Sequence, residues 1–248
     1  MRFLVLSDVH GNAIALEAVL AAARGKWDRV ICLGDLVGYG PNPNEVIERL
    51  RQLDGIVIRG NHDKAASGIT DLEDFNPIAR SALEWTRNQL RADSLEYLQK
   101  LPAGPVETDG LTLVHGAVYD EDEYVFAPDQ AKVSFLSSDF PLVLFGHTHA
   151  QGGFSYSNSR VDTIYPRSQP LGMQTVKTDL NQATRYLLNP GSVGQPRDGD
   201  PRAAFAIADV AHHVIEFWRT PYDIAEVQRR MKEAGAAEPL ILRLSFGR

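Results

Sequence analysis

The chain has 248 residues, 44% of them hydrophobic and 23% charged, with a formal net charge of −7. That composition fits a soluble globular protein with a substantial core, and the acidic balance argues against a surface that coats nucleic acid through phosphate contacts. No run approaches the roughly 18 apolar residues a membrane span needs. The opening MRFLVLSDVH lacks the apolar centre and cleavage site of a signal peptide, and the single cysteine, Cys32, cannot form an internal disulfide. A cytoplasmic protein is expected.

The first predicted strand is "RFLVL", running into Ser7-Asp8-Val9-His10. Residues 12–24 follow as a helix, with Asn12 suited to N-capping and apolar residues at helical spacing. "RVICL" is the second strand and ends in Gly34-Asp35. "NPNEVIERLRQL" opens a helix with Pro43 and places Glu45 in its first turn. "GIVIR" then leads to Gly60-Asn61-His62-Asp63. Residues 76–101 are amphipathic and predict two helices broken near Ala92-Asp93-Ser94.

Three more apolar runs repeat the plan. "LTLV" ends in His115-Gly116, "PLVLF" in Gly146-His147-Thr148-His149, and "RYLL" in Asn189-Pro190-Gly191-Ser192. Short continuous apolar runs read as strands buried on both faces. From residue 150 the pattern turns to short strands, "FSYSNSRVDTIY" and then the hairpin pattern "AAFAIADVAHHVIEFW", before a charged helix over 222–234. Strands alternating with helices predict parallel pairing with ligands beyond the strands' carboxyl ends. One domain over 1–248 is expected: an α/β sandwich of two mixed sheets flanked by helices.

The polar residues at these strand ends are Asp8, His10, Asp35, Asn61, His62, His115, His147 and His149, which hold five of the chain's seven histidines. The remaining two, His212 and His213, adjoin one another in the hairpin. Singly, an aspartate here is a turn former or helix cap and Asn61 a turn residue. Jointly they are a metal-binding set. Residues i and i+2 of an extended segment point the same way, so Asp8 with His10 and His147 with His149 are natural chelating pairs. Carboxylates, an amide oxygen and neutral imidazoles suit manganese, iron, zinc, cobalt or nickel.

The series "SDVHGN", "GDLVGYG", "GNHD", "LVHG" and "GHTH" resembles the calcineurin-like metallophosphoesterase superfamily, and "NPGSVGQPRDGDPRAAF" is similar to the ending of its small stand-alone members. The resemblance implies a metallophosphoesterase-type fold and two divalent ions, with manganese favoured. One ion would be held by Asp8, His10, Asp35 and His149, the other by Asp35, Asn61, His115 and His147. His62 would stabilise charge or protonate the leaving oxygen, and Asp63 would fix its tautomer.

Two ions would offset the charge of a phosphoester and lower the pKa of a shared water toward about 7. The implied activity is hydrolysis of a phosphodiester or nucleotide polyphosphate bond in a small phosphorylated or nucleotide substrate. Phosphomonoester or phosphoprotein hydrolysis is the alternative within the family, and a silent binding or scaffold fold the alternative outside it. The chain departs from the Gly-Asp-x-x-Asp-Arg-Gly of phosphoprotein phosphatases, reading Gly34-Asp35-Leu36-Val37-Gly38-Tyr39-Gly40. Arg59, Arg197 and Arg202 are the candidate replacements for phosphate contact, and Tyr39 a candidate pocket wall.

Overall fold

A computed structural model describes residues 1–166 and 184–248, together with the backbone of 174–177. The first half alternates strand and helix: β1 (Arg2–Leu6), α1 (Ala13–Ala22), β2 (Arg29–Cys32), α2 (Pro43–Arg51) and β3 (Gly55–Val57). Three helices follow, α3 (Asn61–Ala66), α4 (Pro77–Gln89) and α5 (Ala92–Lys100). Next come β4 (Val106–Thr108), β5 (Leu111–Leu113), α6 (Pro128–Ser137) and β6 (Leu142–Leu144). The second half holds β7 (Gly152–Ser157), β8 (Arg160–Ile164), β9 (Gln174–Lys177), β10 (Arg185–Asn189), β11 (Ala203–Asp209) and β12 (Val214–Thr220). Two helices, α7 (Ile224–Glu233) and α8 (Glu238–Arg243), complete the chain.

These strands make two mixed six-stranded sheets, ordered β3-β2-β1-β11-β12-β9 and β4-β5-β6-β10-β7-β8. β1, β2 and β3 are parallel, as are β5, β6 and β10, while the hairpin β11–β12 runs antiparallel beside β1. The period of two along β1 sets the layers. Phe3 and Val5 enter the core between the sheets with Ile31, Leu113, Leu144 and Phe217, whereas Leu4 and Leu6 pack toward Leu16 and Val19 of α1. β6 does the same on the far sheet, where Val143 faces Phe135 of α6. Both faces of each sheet are therefore apolar, which is why these strands read as continuous hydrophobic runs.

Local signals explain most helix ends. The Asn12 side chain accepts from Ala15 N at 3.0 Å, and Asn76 caps α4 by accepting from Ile78 N and Ala79 N, ahead of Pro77. The break in the 76–101 stretch lies at Leu90-Arg91, two residues before the expected place. Both residues are extended, and Arg91 N donates to Asn44 Oδ1 on α2. Ala92-Asp93-Ser94 instead form the first turn of α5, where the acid at Asp93 suits a helix start. Helices α3, α6 and α8 lack a counterpart in the expected elements.

Candidate metal centre

The carboxyl ends of β1, β2, β5 and β6 deliver the polar residues to one rim. Asp8, His10, Asp35, His115, His147 and His149 are all buried there. One group of side chains joins Asp8, His10, Asp35 and His149, and a second joins Asp35, His115 and His147. Within each group one potential ligand atom per residue lies within 4.8 Å of every other. Asp35 belongs to both. Asn61 adjoins the second group, its Oδ1 3.2 Å from His115 Nε2.

The chain is not extended where these residues sit, although i, i+2 chelation presupposes extended backbone. Asp8, His10, Asp35, His147 and His149 have φ values of 53°, 49°, 55°, 65° and 58°. Non-glycine residues adopt this left-handed region at a cost of order 1 kcal/mol each, and such strain gathers where function over-determines the backbone. Asp8 and His10 do share a group. His147 and His149 fall in different ones, so the second expected chelating pair is split. The approach of the loops is equally tight: a Cβ at Gly60 would sit 2.1 Å from Asp35 Oδ1, so this position admits glycine alone.

The imidazoles are oriented by their second nitrogens. Nδ1 of His10 donates to Val37 O at 3.0 Å, and Nδ1 of His149 donates to Gln195 O at 2.7 Å. Their Nε2 atoms then present lone pairs to one another at 3.1 Å. His115 Nδ1 likewise donates to Leu33 O at 2.8 Å. His147 is reversed: Nε2 donates to Asp122 O at 3.0 Å, leaving Nδ1 for the cluster. Asp8 Oδ2 is buried without a hydrogen-bond partner. Facing lone pairs and an orphaned carboxylate oxygen are repulsive by themselves and become favourable around a cation. The donors are those of a divalent-metal site.

Charge in the cluster follows the same logic. Burial pushes His10 and His149 well below their ordinary pKa, and burial with the neighbouring His115 charge lowers His147 to about 3. Burial raises Asp8 to about 7. His115 moves the other way. Burial opposes its charged form, but Asp35 and Asp8 outweigh that and raise it to about 10. Burial likewise opposes the charge on Asp35, yet His115 and its neighbours hold that carboxyl well below the usual range. A proton on His115 supplies the positive charge the carboxylates demand.

Residues 1–213 match the calcineurin-like phosphoesterase superfamily domain. The chain belongs to that family. It is 34% identical to an uncharacterized protein of Methanocaldococcus jannaschii, covering 98% of this chain and 97% of that one. The crystal structure of a metallophosphoesterase from Sphaerobacter thermophilus is similar at 41% identity and a TM-score of 0.85, covering 100% of this chain and 99% of that chain. A hypothetical protein of Pyrococcus horikoshii OT3 shares the fold at 21% identity and a TM-score of 0.78, covering 100% and 98%. Family membership supports hydrolysis of phosphoric esters. Among the described residues, no helix is long and apolar enough to cross a membrane.

The family's remaining motif residues divide. His62 stands beside the metal rim, its ring 4.8 Å from His10, 4.5 Å from Tyr39 and 5.3 Å from Phe75, centroid to centroid. Burial lowers it to about 4. Its Nδ1 is buried without a partner, against Gly38. Asp63 does not bond that ring, which corrects the expected tautomer lock. Its Oδ1 accepts from Leu36 N and Val37 N at 2.9 and 3.2 Å, and its Oδ2 from Gly60 N at 3.0 Å. Asp63 thus ties the loop carrying Asp35 to the loop carrying Asn61.

The three arginines also separate. Arg59 is committed to Glu121 through two hydrogen bonds of 3.2 and 2.8 Å, and Arg202 grips Asp200. Arg197 lies with Cζ 5.7 Å from the Tyr39 ring, and its charge helps depress His10, His62 and His149.

Beside the cluster opens a cavity of about 360 Å³ lined by Tyr39, Asn61, His62 and His147 among others. Its lining includes Tyr124 and Lys64, which the motifs do not contain. Tyr124 stacks on His147 with centroids 3.7 Å apart, and Lys64 is buried against Glu121 and Asp122. Lys64 directly follows "GNHD", a signal within reach; Tyr124, in the acidic loop "DEDEYVF", carries none.

Proposed function

We propose that the protein is a cytoplasmic two-metal phosphoesterase, manganese-dependent, that hydrolyses a phosphodiester or nucleotide polyphosphate bond in a small substrate. The observation that carries this reading is the sharing of Asp35 between two buried groups of donors. Asp8, His10, Asp35 and His149 would hold one ion; Asp35, Asn61, His115 and His147 would hold the other. When bound, such a pair neutralises phosphate charge and acidifies water toward neutral pH.

The protein's own groups do the rest. Nδ1–H bonds to Val37, Gln195 and Leu33 fix His10, His149 and His115 in the tautomer that offers Nε2. His62, at the cavity wall, stabilises charge on the phosphoryl oxygens through its ring N–H when neutral, and protonates the leaving oxygen only from its protonated form. Tyr39 and Tyr124 wall the cavity.

Metal analysis combined with turnover of a chromogenic phosphodiester tests the proposal. Two ions per chain and metal-dependent turnover are expected. One ion at saturation with full activity defeats the two-metal assignment. A phosphopeptide cleaved with higher kcat/KM than every diester and dinucleotide reverses the substrate class.

A further inference from the structure

The family match ends at residue 213, yet the chain continues into α7 and α8, and these helices pack onto the active-site wall. Val227, Met231, Leu240 and Leu244 form a small core that takes in Ile14 of α1, Ala82 of α4 and Tyr39. Through α8 this cap delivers Arg243 beside Arg197. Gln195 Oε1 accepts from both guanidiniums, from Arg197 Nη2 at 2.9 Å and Arg243 Nη1 at 3.3 Å. Gln195 is itself 1% exposed, and its carbonyl oxygen holds the cluster histidine His149. Among the described residues, neither arginine pairs with an Asp or Glu side chain. Arg197 Nε is buried with no partner there, and Arg243 Nε donates to the main-chain oxygen of Arg248.

Two like charges drawn to one neutral acceptor repel each other unless an anion joins them. Arg59, Arg219 and Arg229, by contrast, are each paired with a carboxylate. Arg243 also faces open space of the right connection. A cavity of about 310 Å³ lined by Tyr39, Asn76, Ala79, Leu240 and Arg243 adjoins the 360 Å³ metal-side cavity, sharing Tyr39, Asn76 and Ala79 with it. Beyond it a third, smaller cavity is walled by Ile78, Trp85 and Leu240, apolar surface suited to a flat organic group.

We propose that Arg197 and Arg243 form a second anion subsite, which holds the phosphate next to the scissile one and selects pyrophosphate-type over simple diester substrates. The inference rests on the phosphoesterase reading and narrows its substrate class. Arg243, contributed by the C-terminal cap, is its specificity-determining residue.

Calorimetric titration of the manganese-loaded protein with AMP and with the non-hydrolysable α,β-methylene analogue of ADP tests it without turnover. In the wild type the diphosphonate analogue binds more tightly, and the ratio falls steeply with salt. Arg243→Ala is expected to lower that ratio about tenfold or more, the loss of a charge-assisted bond, with AMP little affected. Arg243→Gln, which retains the stem and can still donate to Gln195, serves if the alanine variant unfolds. An unchanged ratio in a folded variant, or equal weakening of both ligands, overturns the subsite. If metal analysis finds one ion while the ratio still collapses, the two-metal reading fails and the subsite stands.

Discussion

Strand β1 and the loop it runs into are two regions of equal burial and opposite character. Phe3, Leu4, Val5 and Leu6 are 0% exposed and fill apolar layers on both sides of the sheet. Two residues further, Asp8 and His10 are 0% and 1% exposed and make the metal rim. The apolar stretch needs no partner beyond the protein and supplies stability through removal of surface from water. The rim holds charge in left-handed backbone with facing lone pairs, a costly arrangement that only a bound cation makes favourable. The core should therefore set stability and the rim set function, and variants can be chosen to affect one alone.

The largest effect is expected at the shared carboxylate. Asp35→Ala should reduce kcat/KM for a chromogenic diester by about 10⁴-fold or more, because several kcal/mol of charge stabilisation depart with the ions. Elemental analysis should show fewer than two ions bound. Near-native turnover in this variant would refute the bridge.

His62→Ala comes next. Both ions should remain, and the rate should fall about 10²–10⁴-fold, the usual range for a positioned acid or base. The loss should shrink for nitrophenyl esters, whose leaving group needs no proton. If His62→Ala sheds metal as readily as His149→Ala, His62 belongs among the ligands.

Both variants target residues legible in the sequence, because carboxylates and imidazoles closing one apolar strand after another serve no purpose in a core and together make a donor set suited to a metal ion. The rim's neighbours are harder to read, for physical reasons. Gly60-Asn61-His62-Asp63 looks like a turn, yet Gly60 caps a helix whose Asp63 reaches back to the backbone of residues 36 and 37. Such a bond depends on how two loops meet and leaves no local pattern. Left-handed φ at five residues of the cluster is likewise imposed by loop packing. Helix α8 is only six residues long, too short for periodicity to reveal, and the partner of its Arg243 is Gln195, 48 positions away. Arg59, Arg197 and Arg202 look equivalent in sequence; their partners alone separate them.

A substitution in the core sharpens the contrast from the other side. Phe217 is 1% exposed between the sheets, opposite Ala206 of β11. Phe217→Ala should destabilise the fold by about 3–5 kcal/mol, the cost of lost burial plus a cavity. Below its lowered Tm, the metal content and the turnover per folded chain should match the wild type. Loss of metal affinity in the folded variant would show that core and rim are coupled rather than separate.

The smallest effect concerns protons at the rim. In the metal-free protein Asp35 and Asp8 raise His115 to about 10, so His115 carries a proton at neutral pH. A ligand nitrogen must give up that proton before it can coordinate, so metal uptake releases it. Apparent affinity should accordingly rise with pH, by about tenfold per unit from His115 alone and more steeply below about pH 7, where Asp8 must also give up a proton. Raising the folded-state pKa also means that this histidine's own contribution to stability is present below its unfolded value near 6.5 and fades as pH passes the folded value. Low pH thus favours the empty, protonated rim and high pH the loaded one. Manganese titrations at pH 6, 7 and 8, in buffers of different ionisation enthalpy, measure both the affinity and the protons released. An affinity independent of pH, with no proton released, would mean that the metal-free rim is not held together by the His115 charge.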